Sequence, residues 1–362
     1  MIENEWTWIR IDEKPDDLAS FLSLTDGIYC REEVSFDRNE LAQLVEGKHP
    51  LSGYFSVFPF LILKDGQPAG RFILTEYEDD PVIYLGYLDG FDDPDLWSFM
   101  LTTAEDFARE RGKTKISGPV NASFWIGYRL KTKGYDLPPY TGEPAQKPYY
   151  RDHLLRNGFR QVETYLSTIY RPVPDDYEHP LMQRRYDRIL GKGYRICPAD
   201  PRFWDRDLRR VYRLLSDLYS DFPVFKFISE DDFCRYMQRM APIIDFSMVL
   251  LAFRREEMVG FFIALPNYGN LVYRTDPIGR FRTILRLFSA KKKAKEYILL
   301  YLGAHRDHPG IGAALGYRMM EEIRRRKAKS IGALIRQGKV TEGLFEDLIE
   351  RKIEYGLFAK DL

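Results

Sequence analysis

The chain is poor in cysteine and carries no net charge. Its three cysteines, Cys30, Cys197 and Cys234, are widely spaced and form no Cys-x-x-Cys pair. An odd number of scattered cysteines predicts neither a disulfide framework nor a zinc site and fits a reducing cytoplasm. The 54 basic residues are balanced by 54 acidic ones, so the basic excess of a general nucleic-acid-binding protein is missing. We therefore expect a cytoplasmic protein without a nucleic-acid partner.

Long apolar segments and common catalytic signatures are missing as well. No run approaches the roughly 18 apolar residues that cross a bilayer, and no apolar stretch follows a basic N-terminus, so we expect no membrane span and no signal peptide. The sequence contains no His-Glu-x-x-His, no phosphate loop ending in Gly-Lys-Ser/Thr and no Gly-x-Ser-x-Gly. The histidines are scattered apart from the turn pair His305 and His308, and we expect no metal site.

What the chain has is length and aromatic residues. It has 362 residues, 44% of them hydrophobic, with 24 Tyr and 24 Phe. This length predicts two domains with sizeable cores. The proline-rich segment 171–176 is the best linker, so we predict domains at 1–172 and 173–362.

One stretch, 296–322, has the pattern of a strand, a turn and a helix. The apolar run 297–302 predicts a strand, and Gly310-Ile311-Gly312 opens an apolar helix. A glycine turn at a helix N-terminus offers free amide hydrogens and the positive end of the helix dipole, which suit a phosphate.

The two halves repeat the same order of elements. An offset of 215 positions sets Tyr84 against Leu299 and Ile116 against Ile331. It also sets Asp95 and Trp97 against Gly310 and Gly312, so the first copy should lack a phosphate site. A helix at 341–350 and a strand at 355–359 are predicted to close the second half.

The hairpin, strand, Gly-x-Gly turn and helix resemble the acyl-CoA-binding core of the GCN5-related N-acetyltransferases. Two such units in one chain resemble the tandem members of that superfamily. The family's pyrophosphate motif, Arg/Gln-x-x-Gly-x-Gly/Ala, reads here Asp307-His308-Pro309-Gly310-Ile311-Gly312, with Arg306 one place before it. The segments 118–121 and 148–159 resemble stretches of bacterial tandem acetyltransferase-like proteins.

This resemblance implies an α/β (α+β) fold of two tandem domains, each a mixed, mainly antiparallel sheet flanked by helices. Domain 1–172 would carry a degenerate phosphate loop, and domain 173–362 would bind acyl-CoA. The implied function is N-acyltransfer, typically N-acetyltransfer, from acetyl-CoA or another acyl-CoA co-substrate to a small-molecule amine by direct attack. The alternatives are an inactive binding or scaffold protein, and a transferase with an aminoacyl or acyl-carrier-protein donor.

The resemblance also implies site residues. The donor contacts would come from Leu302, Gly303, Ala304, Arg306, His308, Gly310, Ile311, Gly312 and Ala313. Tyr355 is the candidate acid and His305 the candidate base, although a packing tyrosine and a hydrogen-bonded turn histidine are the simpler interpretations. The long loop 121–147 would shape the acceptor site through Asn121, Trp125 and Tyr140.

A basic segment, 274–295, predicts an amphipathic helix over 281–295. A solvated helix face is the simplest interpretation. The other two are a docking patch, for the 3′-phosphate of CoA or an acyl carrier protein, and a peripheral membrane contact. A homodimer is a further candidate assembly.

Overall fold

The computed structural model describes residues 6–34, 36–144, 146–220, 222–273, 280–338 and 345–362. The chain forms two compact units. The first comprises Met1–Tyr165, Gly269–Pro277 and Glu354–Leu362, and the second comprises Leu166–Tyr268 and Ile278–Ile353. Both units are discontinuous in sequence, whereas the predicted segments 1–172 and 173–362 are contiguous, because the C-terminal segment folds with the first unit.

Strands and helices alternate in the order expected of a repeated α/β unit. The strands are β1 Trp6–Arg10, β2 Ser56–Lys64, β3 Gln67–Glu76, β4 Val82–Gly90, β5 Lys115–Gly118, β6 Leu130–Lys133, β7 Arg160–Tyr170, β8 Tyr194–Pro198, β9 Val249–Arg254, β10 Glu257–Pro266, β11 Glu296–Ala304, β12 Lys329–Arg336 and β13 Ile349–Asp361. The helices are α1 Leu18–Ser23, α2 Arg38–Val45, α3 Pro94–Glu110, α4 Tyr149–Arg156, α5 Pro180–Gly191, α6 Trp204–Tyr219, α7 Glu230–Gln238, α8 Arg280–Lys292 and α9 Ile311–Arg325.

The sheet of the first unit is mainly antiparallel. Its strands follow the order β1-β2-β3-β4-β5-β13, and β6 also pairs with β13. The pair β4–β5 is parallel, and the other pairs with a known register are antiparallel. Helix α3 covers this sheet with apolar residues at helical spacing, among them Leu96, Met100 and Ala104. Gly70 of β3 lies beneath α3, where a Cβ atom would come within 2.5 Å of the Met100 sulfur.

The sheet of the second unit has the same plan. Its order is β7-β12-β11-β10-β9-β8, with β11–β12 parallel. Gly260 of β10 lies against Ile311 of α9, whereas the ring of the next residue, Phe261, contacts Gly303 beside Leu218 of α6. Since consecutive strand residues point to opposite faces, α9 and α6 cover opposite faces of this sheet. The predicted fold class of both halves is confirmed.

The predicted repeat is confirmed in the strands and wrong at the helix start. Ile83 pairs with Ile116, and Ile298 pairs with Ile331, at the predicted offset. Helix α3 begins at Pro94, however, and α9 begins at Ile311. The turn before α9 is longer than the turn before α3, so Asp95 corresponds to Gly312. Trp97 packs in the buried core of the first unit.

The predicted helix 341–350 is wrong where the structure describes it. Residues 339–344 lie outside the described part of the chain. A single 3-10 turn occupies Glu346–Leu348, and β13 begins at Ile349. Phe345 has φ 56°, a left-handed conformation that a helix does not continue through. The predicted strand 355–359 lies within β13, and the predicted basic helix corresponds to α8.

In the described part of the chain, no helix combines the length and the apolar character needed to cross a bilayer.

The contact between Gly260 and α9 allows the packing of this helix on the sheet to be tested. A Gly260→Ala change would place its Cβ 2.6 Å from Ile311 Cγ2 and 3.0 Å from the Gly303 carbonyl oxygen. We expect the free energy of unfolding, measured by urea denaturation, to fall by about 1–3 kcal/mol because the helix must move away from the sheet. Gly191→Ala at the end of α5 meets no atom within 4 Å and should not destabilise the protein. Equal stability of both variants would contradict the packing.

Candidate functional site

The parallel strands β11 and β12 of the second unit separate part-way along their length. Their ladder runs from Glu296–Lys329 to Leu299–Gly332 and ends there, while β11 continues to Ala304. On its other edge β11 stays paired with β10, with a bulge at Leu300 between the pairs Leu299–Ala264 and Tyr301–Ile263. Side chains 299–302 are half-buried. In the described part of the chain, the ladder with β12 therefore does not cover this edge of β11 beyond Leu299.

The equivalent opening in the first unit is filled by the chain itself. The β4–β5 ladder ends at Tyr84–Ser117, and the segment after β5 then turns onto β4. Val120 N donates to Leu85 O at 2.7 Å, and Tyr87 N donates to the Asn121 side-chain oxygen at 2.9 Å. Asn121 therefore completes the hydrogen bonding of a strand, and β4 is buried from Ile83 to its end.

Gly86 of β4 makes room for the segment that follows β5. A Cβ atom on Gly86 would overlap the carbonyl oxygen of Val120. At the same place in the second unit the residue is Tyr301, whose side chain is half-buried. The gap beyond the parallel ladder is therefore filled by residues 120–121 in the first unit, whereas a bulky Tyr301 stands at the position of Gly86 in the second.

The helix after the open strand begins with a left-handed glycine. Gly310 is the N-cap of α9 with φ 97°, a conformation that favours glycine. Its carbonyl accepts from Ala314 N at 3.0 Å, and Ile311 N donates to His308 O at 3.3 Å. Gly312 and Ala313 are in the first turn, so their amide hydrogens have no carbonyl partner within the helix. Of the predicted amides, these two are the best placed for an anion.

The corresponding helix of the first unit is capped by its own carboxylate. Asp93 is the N-cap of α3 and accepts from Asp95 N at 3.0 Å. Lys64 lies 2.9 Å from the other Asp93 oxygen. These contacts lower the pKa of Asp93, against an opposing contribution from burial. The anion position of this helix is thus occupied by protein, as the sequence predicts, with Asp93 as the capping residue.

The turn between β11 and α9 holds both predicted histidines. His308 is buried, and its Nδ1 lies 2.9 Å from the hydroxyl of Tyr194. His305 Nδ1 accepts from Asp307 N at 3.2 Å, so its lone pair on that nitrogen is engaged by the backbone. The side chains of Arg306 and Asp307 are exposed. His308 therefore closes the turn, and Arg306 is the cation that is free to reach a ligand.

Aromatic residues follow α6 and lie beside the open strand. The Tyr219 ring is 4.7 Å from Phe222 and 6.3 Å from Tyr301 by ring centroids. The segment 222–228 reads Phe-Pro-Val-Phe-Lys-Phe-Ile, and the Phe227 side chain is 63% exposed. Aromatic rings therefore lie beside Tyr301, one residue after the bulge in β11, and the Arg336 guanidinium lies 5.7 Å from the Phe222 ring centroid.

Tyr355 and Tyr140 lie together in a buried network of the first unit. Their hydroxyl oxygens are 3.3 Å apart, and the Tyr355 hydroxyl donates to Glu143 at 2.6 Å. Lys131 Nζ lies 2.9 Å from the same carboxylate oxygen. Burial raises the pKa of Glu143, and the Lys131 ammonium and the Tyr355 hydroxyl oppose this rise. The network satisfies a charge pair in the interior and belongs to the unit without the open strand.

The remaining predicted residues divide between the units. Trp125 is buried in the first unit, with its ring 5.1 Å from Phe124 by centroids. Leu302, Gly303 and Ala304 lie on the open strand of the second unit. Glu143 and Lys131 are not predicted from the sequence, since an isolated charged residue carries no signal of burial.

Among the residues that the structure describes, no three His, Cys, Asp or Glu side chains come together as a set of metal ligands.

Comparison with known proteins identifies the fold. No family model matches the chain. A bacterial ceramide synthase of Caulobacter vibrioides is 25% identical over 231 residues, which span 62% of this chain and only 60% of that protein. Protein YghO of Escherichia coli is 20% identical over 331 residues, 87% of this chain and 84% of that protein. The solved structure of a tandem GNAT protein from the clavulanic acid biosynthesis pathway matches with a TM-score of 0.54 and 11% identity, covering 99% of this chain and 98% of that one.

The protein therefore has the fold of the GCN5-related N-acetyltransferases. It has that fold in its tandem form, as the resemblance of the sequence predicts.

The buried network offers a test of its structural role. In Lys131→Met, the Glu143 carboxylate loses its cation, and we expect the free energy of unfolding at pH 7 to fall by about 3 kcal/mol or more. Without the Lys131 ammonium, the pKa of Glu143 in the folded protein rises further. The loss of stability should therefore be small near pH 4 and should grow as the pH rises.

The double variant Lys131→Met/Glu143→Gln is the matched control. It removes both charges and keeps an oxygen for Tyr355, so most of the stability should return. A loss in the single variant that does not depend on pH would contradict a buried charge pair.

Proposed function

We propose that the protein is an N-acyltransferase that binds an acyl thioester along the open edge of β11. The observation that carries this proposal is the contrast between the two units. The first unit fills the gap beyond its parallel ladder with its own backbone, whereas in the second the ladder ends at Leu299–Gly332 and residues 299–302 are half-buried. A ligand with amide groups, such as the pantetheine arm of acyl-CoA, has the chemistry to pair with that edge.

The anionic end of such a donor fits the start of α9. Gly312 and Ala313 would offer amide hydrogens to its phosphates, and the helix dipole favours negative charge there. The exposed Arg306 would add a cation. The first unit has an acidic residue, Asp95, at the position of Gly312, so only the second unit suits a phosphate.

The reaction requires the lone pair of a neutral amine to attack the thioester carbonyl. A C–N bond forms and the C–S bond breaks, while the amine loses a proton and the departing thiolate gains one. We place the thioester near the bulge at Leu300. His305 lies just beyond the end of β11, about 16 Å from Leu300 at roughly 3.3 Å per residue. His305 would therefore stand beside the phosphates, and the acid and base are to be sought near Tyr219 and Tyr301.

Aromatic side chains near the bulge favour an acceptor with an apolar chain. Tyr219 lies between Phe222 and Tyr301 of β11, and Phe227, farther along the same segment, is exposed. A similar protein is named a ceramide synthase, and a ceramide is a long-chain amino alcohol with an acyl group on its nitrogen. We propose a long-chain amine as the acceptor.

The donor site can be tested with a residue taken from the first unit. Gly312→Asp puts a carboxylate in the first turn of α9, as Asp95 does in α3. We expect CoA and palmitoyl-CoA to bind roughly tenfold to a hundredfold more weakly in isothermal titration calorimetry, because the carboxylate repels the phosphates. The thermal unfolding midpoint should stay the same or rise, since acidic residues stabilise helix N-termini.

Gly312→Ala is the control for this change. Its Cβ would meet Ala304 Cβ at 3.8 Å, an ordinary contact, and its amide hydrogen is retained. It should bind the donor like the wild type. Wild-type protein that binds neither CoA nor palmitoyl-CoA would overturn the donor site and favour a scaffold or another donor.

The acceptor class predicts a preference that can be measured by mass spectrometry of the products. With palmitoyl-CoA, we expect kcat/KM for a long-chain amino alcohol such as sphinganine to exceed that for a short amino alcohol by at least about tenfold, because its chain can be buried. Phe227→Ser should raise KM for the long-chain amine alone, whereas Phe203→Ser, at a side chain of 46% exposure, should not. Equal rates with both amines would contradict a lipid acceptor.

A further inference from the structure

The second unit contains a helix that the first unit lacks. In the first unit β3 ends at Glu76 and β4 begins at Val82, whereas β10 ends at Pro266 and β11 begins at Glu296. Helix α8 lies in this insertion and contacts the turn Ala241–Ile243. Because the first unit completes the same sheet without it, this helix is not required to form the fold.

The solvent side of α8 is apolar at its centre. Leu285 and Phe288 are 53% and 48% exposed and stand one turn apart. Ser289 and Lys292 share their side of the helix, while positions 287, 290 and 291 are less exposed. A helix that turns two large apolar side chains toward water has the reverse of the usual pattern for a surface helix.

The charges around these side chains have one sign. From 277 to 295 the chain contains no Asp or Glu, although the protein as a whole is neutral. Basic residues occupy Arg280, Arg282, Arg286, Lys291, Lys292, Lys293 and Lys295. Of these, Arg286, Lys292, Lys293 and Lys295 are exposed. The face therefore combines an apolar centre with a positive border.

We propose that α8 docks the protein on an anionic membrane surface. Two exposed apolar side chains bordered by cations suit the boundary between acyl chains and anionic headgroups. A second copy of this face is a poor partner, because its cations would meet their own equivalents. The helix is about 20 Å long, and one face of it is far smaller than the roughly 800 Å² per partner of a stable protein interface. This inference does not depend on the proposed function.

Vesicle sedimentation tests the proposal. The probes are large unilamellar vesicles of phosphatidylcholine with about one third phosphatidylglycerol, and vesicles of phosphatidylcholine alone. We expect the full-length protein to bind the anionic vesicles and to lose binding as salt is raised. Lys292→Glu/Lys293→Glu should lower the partition coefficient by about 25-fold or more, at roughly fivefold for each charge. Leu285→Ser/Phe288→Ser should lower it about tenfold.

The chain offers a closely matched control. Leu181 and Phe203 are 49% and 46% exposed elsewhere in the second unit, so Leu181→Ser/Phe203→Ser removes the same residue types and should bind like the wild type. Thermal unfolding and palmitoyl-CoA titration on each variant separate a loss of docking from a loss of fold or of the donor site.

Three results would overturn the proposal. One is equal sedimentation with neutral and anionic vesicles, and another is equal binding by the α8 variants and the wild type. The third is wild-type protein that ignores both vesicles but binds an acidic acyl carrier protein through Lys292 and Lys293, which would assign the face to a protein partner.

Discussion

The separation of two parallel strands is the constraint on which the rest of the structure depends. In each unit a parallel ladder ends early, after Tyr84–Ser117 in the first and after Leu299–Gly332 in the second. Beyond that point one strand continues with a backbone edge that needs hydrogen-bond partners, since buried backbone groups are costly to leave unpaired. The first unit supplies them from Val120 and Asn121. In the second the ladder ends without such a filling segment in the described part of the chain, and the proposed donor site rests on this difference.

The N-termini of α3 and α9 differ between the units in the same way as the strand edges. Asp93 satisfies amide hydrogens of α3 and is itself neutralised by Lys64, so this helix needs no outside anion. Gly310 has no side chain to cap α9, and its left-handed backbone turns the chain directly into the helix. The closed strand edge and the capped helix occur in one unit, and the open edge and the uncapped helix in the other. Two independent local features therefore distinguish the units in the same sense, and both support the proposed donor site in the second.

The sequence predicts features that depend on local pattern and misses those that depend on distant partners. The run 297–302 and the glycines at 310 and 312 predict the strand, turn and helix because apolar runs and glycine punctuation act over a few residues. The filling of the first cleft depends on Gly86 meeting a backbone more than thirty residues away, which no local pattern records. Residues 349–353 contain Glu, Arg and Lys, which favour helix, but sheet pairing places them in β13. Lys131 and Glu143 have the composition of surface residues until the fold buries them as a pair.

Strand β13 contributes to the core and to the buried charge pair of the first unit. Phe358 belongs to the core that includes Trp97 and Tyr150, and the Tyr355 hydroxyl meets the buried carboxylate of Glu143. Without the segment Glu354–Leu362, that core would lack an apolar side chain, and the charge pair would lose a hydrogen bond. The packing of the first unit therefore includes residues 354–362. Because the second unit lies between these segments in sequence, the first unit is assembled from parts of the chain on both sides of the second.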